Sequence, residues 1–125
     1  MKLKLFAAGL VVVPAVASAQ SMNAQVFYQR ATALQKKGAL AIFSGGEIKA
    51  LMNEGKAAGK KAREQRLAAV VAGQKPRFCP PDQPVKIGSD EFMARLSKIP
   101  QAERSRIDMT DATIRILTVK FPCRA

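Results

Sequence analysis

The most distinctive chemistry in this chain of 125 residues belongs to its two cysteines, Cys79 and Cys123, because the chain contains no histidine. A structural zinc site needs four ligands, and a nucleophilic cysteine needs a neighbouring base, for which histidine is the usual choice. The absence of histidine also excludes Ser-His-Asp catalysis and histidine-ligated metals. The two thiols therefore favour a disulfide, provided that the chain reaches an oxidising compartment.

Carboxylates are the remaining groups that could work as a catalytic acid and base. In the C-terminal half these are Asp82, Asp90, Glu91, Glu103, Asp108 and Asp111. Nothing in their spacing singles out a catalytic pair, and adjacent acidic residues such as Asp90 and Glu91 are typical of the first turn of a helix. We predict that the protein is not an enzyme and that it holds no cofactor or metal.

The first 19 residues have the pattern of a cleavable secretory signal peptide. Two lysines precede an apolar run, and Ala17-Ser18-Ala19 forms a small-x-small cleavage site. The apolar run covers residues 5–16, which is shorter than the roughly twenty residues that a membrane-spanning helix requires. We therefore expect residues 20–125 to form one periplasmic domain without a transmembrane segment. There the Cys79–Cys123 disulfide would stabilise the fold by about 4 kcal/mol through loop entropy.

Two helices are predicted in the first half of this domain. The first covers residues 24–36 and is closed by Gly38. The second begins at residue 45, where Ser44 and Glu47 match a capping box and Phe43 and Ile48 match a hydrophobic staple. It runs to residue 72, and Gly73 ends it.

The second helix would be about 42 Å long, so in a domain with a radius of gyration of about 13 Å it must bend, protrude or end early. Its apolar stripe consists of Ile48, Leu51, Met52, Gly55, Ala58, Gly59 and Ala62. The two glycines favour close packing of another helix within the monomer, and the alternative is the seam of a homodimer.

A basic face lies beside that stripe and consists of Lys49, Lys56, Lys60 and Arg63. The chain carries a net charge of +12, and removal of residues 1–19 leaves about +10, from 19 basic and 9 acidic residues. The face is either an ordinary solvated surface or a contact for an acidic protein, an anionic lipid head group or a cell-wall polymer. Export and the scarcity of aromatic residues, with one tyrosine and no tryptophan, argue against nucleic acid.

Prolines mark residues 74–88 as a loop, with Cys79 in mid-course. Ser89 is the predicted N-cap of a third helix, whose core-facing residues are Phe92, Met93, Leu96 and Ile99. Pro100 interrupts this helix and starts a turn.

The last helix, predicted over residues 109–121, is apolar on most sides and therefore belongs at the centre of a bundle. Asp111 and Arg115 are spaced as an ion pair on its narrow polar strip. The predicted fold class is all-α, a small bundle of about four helices with one disulfide.

The stretch from Phe78 to Cys123 resembles the C-terminal signature of Rap/Tai-type immunity proteins of type VI secretion. The matching features are Cys79-Pro80-Pro81, the apolar helix from Phe92 to Leu96, Ile99-Pro100 and Phe121-Pro122-Cys123. The resemblance implies an all-helical periplasmic protein, usually dimeric, that binds and blocks a cell-wall-degrading effector without catalysis.

Two function classes follow. The first is a binding protein of the immunity type, whose protein partner would be a secreted wall hydrolase. Its candidate contact residues are Asp82 and Lys86 in the proline-rich loop and the basic face of the second helix. The second class is a periplasmic stress or chaperone-like protein, or an envelope-associated basic protein, without a cognate effector. The presence or absence of a neighbouring gene for a wall hydrolase discriminates between them.

Overall fold

The computed structural model describes residues 21–124, so the predicted signal peptide, residues 1–19, lies outside the described residues. The four longer helices are α1 (Ala24–Lys37), α2 (Gly45–Val71), α3 (Ser89–Lys98) and α5 (Met109–Lys120), and a single turn, α4 (Gln101–Arg104), precedes the last. A 3₁₀ segment, Gly38–Ser44, joins α1 to α2 and is called the elbow below. Residues 21–124 contain no strand, and the predicted all-α class with one disulfide is confirmed.

Helix α1 begins and ends within one residue of its predicted bounds. Asn23 caps its start, because the side-chain oxygen accepts hydrogen bonds from the backbone N–H groups of Gln25 at 2.9 Å and Val26 at 3.2 Å. At the other end Gly38 adopts a φ of +53°, a left-handed conformation that costs other residues free energy. The local signals at both ends therefore placed this helix correctly.

Helix α2 begins at Gly45 as predicted, but the capping box and the staple are wrong. Ser44 makes no capping hydrogen bond, because its φ of −108° and ψ of 35° continue the elbow instead of adopting the extended conformation of an N-cap. Glu47 binds Arg30 on α1 instead, through two hydrogen bonds of 2.6 Å. Phe43 is 82% exposed, so it does not pack as a staple against Ile48.

The C-terminal end of α2 protrudes, which settles the alternatives left open by its length. The helix has 27 residues and ends at Val71, followed by Gly73 with a φ of +72°. Its buried residues are Leu51, Ala58 and Ala62, whereas Val71 is 89% exposed. The core therefore ends near Ala62, and the last turns project into solvent.

The predicted close packing at Gly55 and Gly59 is wrong for the described chain. A Cβ atom placed on either glycine would meet nothing within 4 Å of it among the described residues. The glycines are therefore not needed for a close approach inside this monomer.

Helices α3 and α4 pack against α1 and α5. Ser89 is the first residue of α3 and not its N-cap, a position that Gly88 takes without a side-chain bond. The predicted core side is confirmed, since Leu96 is fully buried and the three other predicted residues, Phe92, Met93 and Ile99, pack against the core. The Phe92 ring meets the Phe27 ring of α1 edge to face, with 6.1 Å between centroids.

Arg104 of α4 is buried, which the sequence did not indicate. Its Nη1 donates to the carbonyl oxygens of Ile99 at 2.5 Å and Ser97 at 3.2 Å, and its Nε donates to Gln25 at 2.7 Å. Its guanidinium carbon lies 4.0 Å from the centre of the Tyr28 ring. Arg104 thereby satisfies carbonyl groups at the end of α3 and ties α3 and α4 to α1.

Helix α5 is the central element, as its composition predicts. Its buried residues are Met109, Thr110, Ala112, Thr113, Ile114 and Ile116. Asp108 caps it by accepting a hydrogen bond of 2.8 Å from the Asp111 N–H. The predicted ion pair is confirmed, with 3.6 Å between Asp111 and Arg115.

Candidate functional site

The disulfide fixes the loop between α2 and α3 to the end of α5. Cys79 and Cys123 are bonded, with their Cα atoms 4.9 Å apart. Beside the bond, the Cys79 N–H donates a hydrogen bond of 2.8 Å to the carbonyl oxygen of Phe121. A covalent and a backbone contact therefore hold the same point of the loop, and the predicted pairing is confirmed.

Residues 80–86, called the anchored loop below, lie between two fixed points. On one side Phe78 is 4% exposed and packs with Ala62 and Ile114, next to the disulfide. On the other side Ile87 packs against the main core. The whole connection, residues 72–88, has no helix or strand, and irregular segments of this length in small domains are usually functional.

The two charged loop residues predicted as contacts are both exposed. Asp82 and Lys86 lie within the anchored loop, and the intervening Val85 is 44% exposed. Pro81 and Pro84 restrict the backbone of this stretch, because the proline ring fixes φ. The segment therefore presents one acidic, one basic and one apolar side chain from a constrained backbone.

The predicted basic face is also exposed along α2. At 100° per residue, its four residues fall within about 60° of one another and extend over about 21 Å. Lys60 lies 4.0 Å from Glu64, but both side chains are mostly exposed, so the pair contributes little. The described part of the chain contains no hydrogen bond or ion pair between this face and the anchored loop, so the two candidate sets are separate surfaces.

Two carboxylates elsewhere have shifted protonation equilibria. The hydrogen bond from Arg30 lowers the pKa of Glu47, and the hydrogen bond from Lys120 lowers the pKa of Glu91. The same contact with Glu47 raises the pKa of Arg30. A lowered pKa keeps both carboxylates ionised at neutral pH, whereas a general acid requires a raised one.

The structure also exposes an apolar surface that the sequence analysis did not identify, since it considered only Phe43, as a partner in a hydrophobic staple. Leu40, Ile42 and Phe43 of the elbow are 65%, 76% and 82% exposed. The signal that could have found them is their position between two helix ends, where a seven-residue connection has few neighbours to pack against.

Searches for other kinds of site give two findings for residues 21–124. No group of three His, Cys, Asp or Glu side chains in this range is arranged to hold a metal ion. In the same range, every helix is too short or too polar to cross a bilayer.

Comparison of the chain with protein-family models, with curated proteins and with solved structures finds no match. The resemblance to the Rap/Tai-type proteins therefore stays a prediction made from the cysteine and proline pattern.

Proposed function

We propose that this chain is an exported, non-catalytic binding protein of the immunity type. It blocks a cell-wall-degrading effector by placing the anchored loop in the effector's cleft. The observation that carries the proposal is that residues 81–86 of the anchored loop are exposed while both flanks of the loop are fixed to the core. The Rap/Tai-like cysteine and proline pattern, which surrounds this same loop, supports the choice of partner.

Fixed flanks matter because ordering a flexible loop on binding costs free energy. Here the disulfide and buried Phe78 hold one flank, and Ile87 holds the other, which lowers that cost. Rigid presentation of a short segment is what steric occlusion of a cleft requires. The lowered pKa values of Glu47 and Glu91 argue only against these two carboxylates acting as general acids at neutral pH.

Val85 is the expected apolar anchor of the contact, and Asp82 and Lys86 are expected to orient it. A few buried side chains supply most of the affinity in protein interfaces, and flanking charges contribute mainly to specificity and association rate. The loop carries one charge of each sign, so its own net charge is zero. Its binding is therefore expected to depend only weakly on salt.

The test uses a wall hydrolase encoded beside the gene for this chain, with inhibition of peptidoglycan hydrolysis and the Kd of the complex as measurements. Val85→Asp should weaken binding by about a hundredfold, as loss of an interface anchor does. Val119→Asp, at a position on α5 that is 74% exposed, is the matched control and should leave the Kd unchanged. Wild-type protein that fails to inhibit the hydrolase, or equal losses for the two variants, would overturn the proposal.

The net positive charge along α2 favours a second candidate function, that of an envelope-associated basic protein. In that case retention of the protein on cell envelopes should fall steeply as the salt concentration rises, because exposed charges are screened within about 10 Å at 0.1 M salt. Salt-insensitive capture of one hydrolase supports the first function, and salt-sensitive retention without such a partner supports the second.

A further inference from the structure

We infer that the elbow is a membrane-interface site that binds anionic lipid bilayers. Leu40, Ile42 and Phe43 enter the boundary between head groups and acyl chains, and the lysines around them contact lipid phosphates. This inference goes beyond the proposed effector binding, because it concerns a different surface and a different class of partner.

The first observation is the concentration of exposed apolar side chains. The three elbow residues are each more than 60% exposed within one seven-residue segment, and Met52 and Ile48 on the adjoining part of α2 are 53% and 37% exposed. Single exposed apolar residues are common on proteins, but a contiguous patch usually marks a contact with another molecule or a membrane.

The second observation is the position of this patch in the fold. Arg30 binds Glu47, and the Met22 N–H binds Glu54, so α1 and the first part of α2 run antiparallel as a hairpin. The elbow is the tip of that hairpin and packs mainly on these two helices. A tip can enter an interface without unfolding any other part of the molecule.

The third observation is the charge around the tip. Lys36 and Lys37 close α1, Lys49 lies in the first turns of α2, and all three are exposed. Within residues 21–124 none of these ammonium groups lies within ion-pair distance of a carboxylate; Lys37 donates a hydrogen bond of 3.0 Å to Ser44.

The nearest acidic residues on α2 cancel only part of that charge. Arg30 holds Glu47, and Glu54 accepts a hydrogen bond of 2.5 Å from the Met22 N–H. The charge around the apolar tip is therefore net positive, with Lys36, Lys37, Lys49 and Arg30 against Glu47 and Glu54. This combination complements an anionic bilayer, in which apolar side chains enter the interface and lysines reach the phosphates. A protein partner would instead need an apolar pocket with an acidic rim, and it is an outcome of the test below.

The geometry also separates the lysines that take part from those that do not. Along α2, Lys49 lies about 6 Å from Gly45, whereas Arg63 lies about 27 Å from it. With the tip in the interface, the surface potential falls off over a Debye length of about 10 Å at 0.1 M salt. Lys49 should therefore contribute to lipid binding, and Arg63, on the same basic face, should not.

A single tryptophan placed at the tip reports insertion directly, because the chain has none of its own. The protein, expressed from its full-length gene and purified in the exported form, is mixed with vesicles of phosphatidylcholine with or without phosphatidylglycerol. With phosphatidylglycerol, Phe43→Trp should show a blue-shifted emission and quenching by brominated acyl chains. Val71→Trp, at the far end of α2, is the matched control and should show neither. An unshifted Phe43→Trp, or an equal shift at both positions, would overturn the inference.

Vesicle sedimentation then measures affinity. Ile42→Ser/Phe43→Ser should weaken binding to phosphatidylglycerol vesicles by about tenfold or more, because two apolar side chains that enter the bilayer interface are lost. Lys49→Gln should weaken it about fivefold, and Arg63→Gln should not change it. Equal losses for the two charge variants would indicate diffuse attraction and overturn the site. The inference would also be overturned if wild-type protein did not bind the vesicles but bound a protein partner through Phe43. Hydrolase inhibition by the elbow variants should stay intact, which separates this test from that of the proposed function.

Discussion

The elbow and the anchored loop are both exposed connections between helices, but they are held in opposite ways. The elbow is a regular 3₁₀ segment with three exposed apolar side chains and no covalent anchor. The anchored loop is irregular and rich in proline, and its flanks are fixed by the disulfide, Phe78 and Ile87. One segment takes its order from local backbone geometry, and the other takes it from contacts with the core.

A candidate binding segment is therefore characterised by how its backbone is held as well as by its exposure. A segment that is fixed from outside can present polar groups rigidly, which suits the recognition of one partner. A tip that has apolar side chains and a net positive charge suits a surface that has no fixed shape, such as a lipid interface. Four predictions separate the two regions experimentally, and they are given in order of decreasing effect.

The largest effect is expected from the disulfide. Cys79→Ser/Cys123→Ser should lower the free energy of unfolding by about 4 kcal/mol, because the bond closes a ring across 44 residues of sequence. Urea denaturation measures the loss, and hydrogen exchange should show faster opening at the amides of residues 77–79, which lie between two prolines, without a change in the elbow. The control is the wild-type protein under reducing conditions, which should lose the same amount of stability. A loss below about 1 kcal/mol would mean that the core holds the loop without the bond.

The same substitution, leucine to alanine, can be made in the core and in the elbow. Leu96→Ala should cost about 3 kcal/mol, because the side chain is fully buried and leaves a cavity. Leu40→Ala should change stability by less than about 0.5 kcal/mol, because that side chain is 65% exposed. Thermal and urea unfolding measure both values. A large cost at Leu40 would show that the elbow packs against something in solution, and it would contradict the exposure described above.

Glycine-to-alanine substitutions should have opposite effects on stability at Gly38, the first residue of the elbow, and at the two glycines inside α2. Gly55→Ala and Gly59→Ala should each stabilise the protein by up to about 1 kcal/mol, since a Cβ finds open space there and alanine favours a helix. Gly38→Ala should destabilise it by about 1 kcal/mol, because its φ is +53°. Unfolding midpoints at several protein concentrations check these values. Destabilisation at Gly55 or Gly59 that depends on concentration would indicate a homodimer seam instead.

The smallest effect concerns pH. Contacts with Arg30 and Lys120 lower the pKa values of Glu47 and Glu91 below the ordinary value of 4.5. A lowered folded-state pKa contributes stability that is fully present above the unfolded-state value and is lost as the pH falls through the folded-state value. The melting temperature should therefore decrease as the pH is lowered below about 4.5. Glu91→Gln should flatten this dependence more than Glu47→Gln, because the Lys120 side chain is 20% exposed and that of Arg30 is 36% exposed. Equal pH profiles for wild type and both variants would contradict the assignment.

Most of the fold was predictable because its signals are local. Glycine after the first and second helices, apolar spacing in α3 and the apolar composition of α5 each depend on residues a few positions apart. The disulfide was predictable for a different reason, since two cysteines allow a single pairing. At the anchored loop the sequence identified the irregular, proline-rich segment and its charged residues, but not the burial of Phe78 and Ile87 that fixes its flanks.

The sequence by itself therefore determined the helical class, the bounds of the main helices and the covalent link between the loop and the last helix. Three features became clear only from the tertiary structure. Glu47 pairs with Arg30 and does not form a capping box, Arg104 is buried, and the elbow faces solvent. The physical reason is that apolar and charged patterns show what a side chain can contact. Which of those contacts forms depends on residues that are distant in the chain and are brought together by packing.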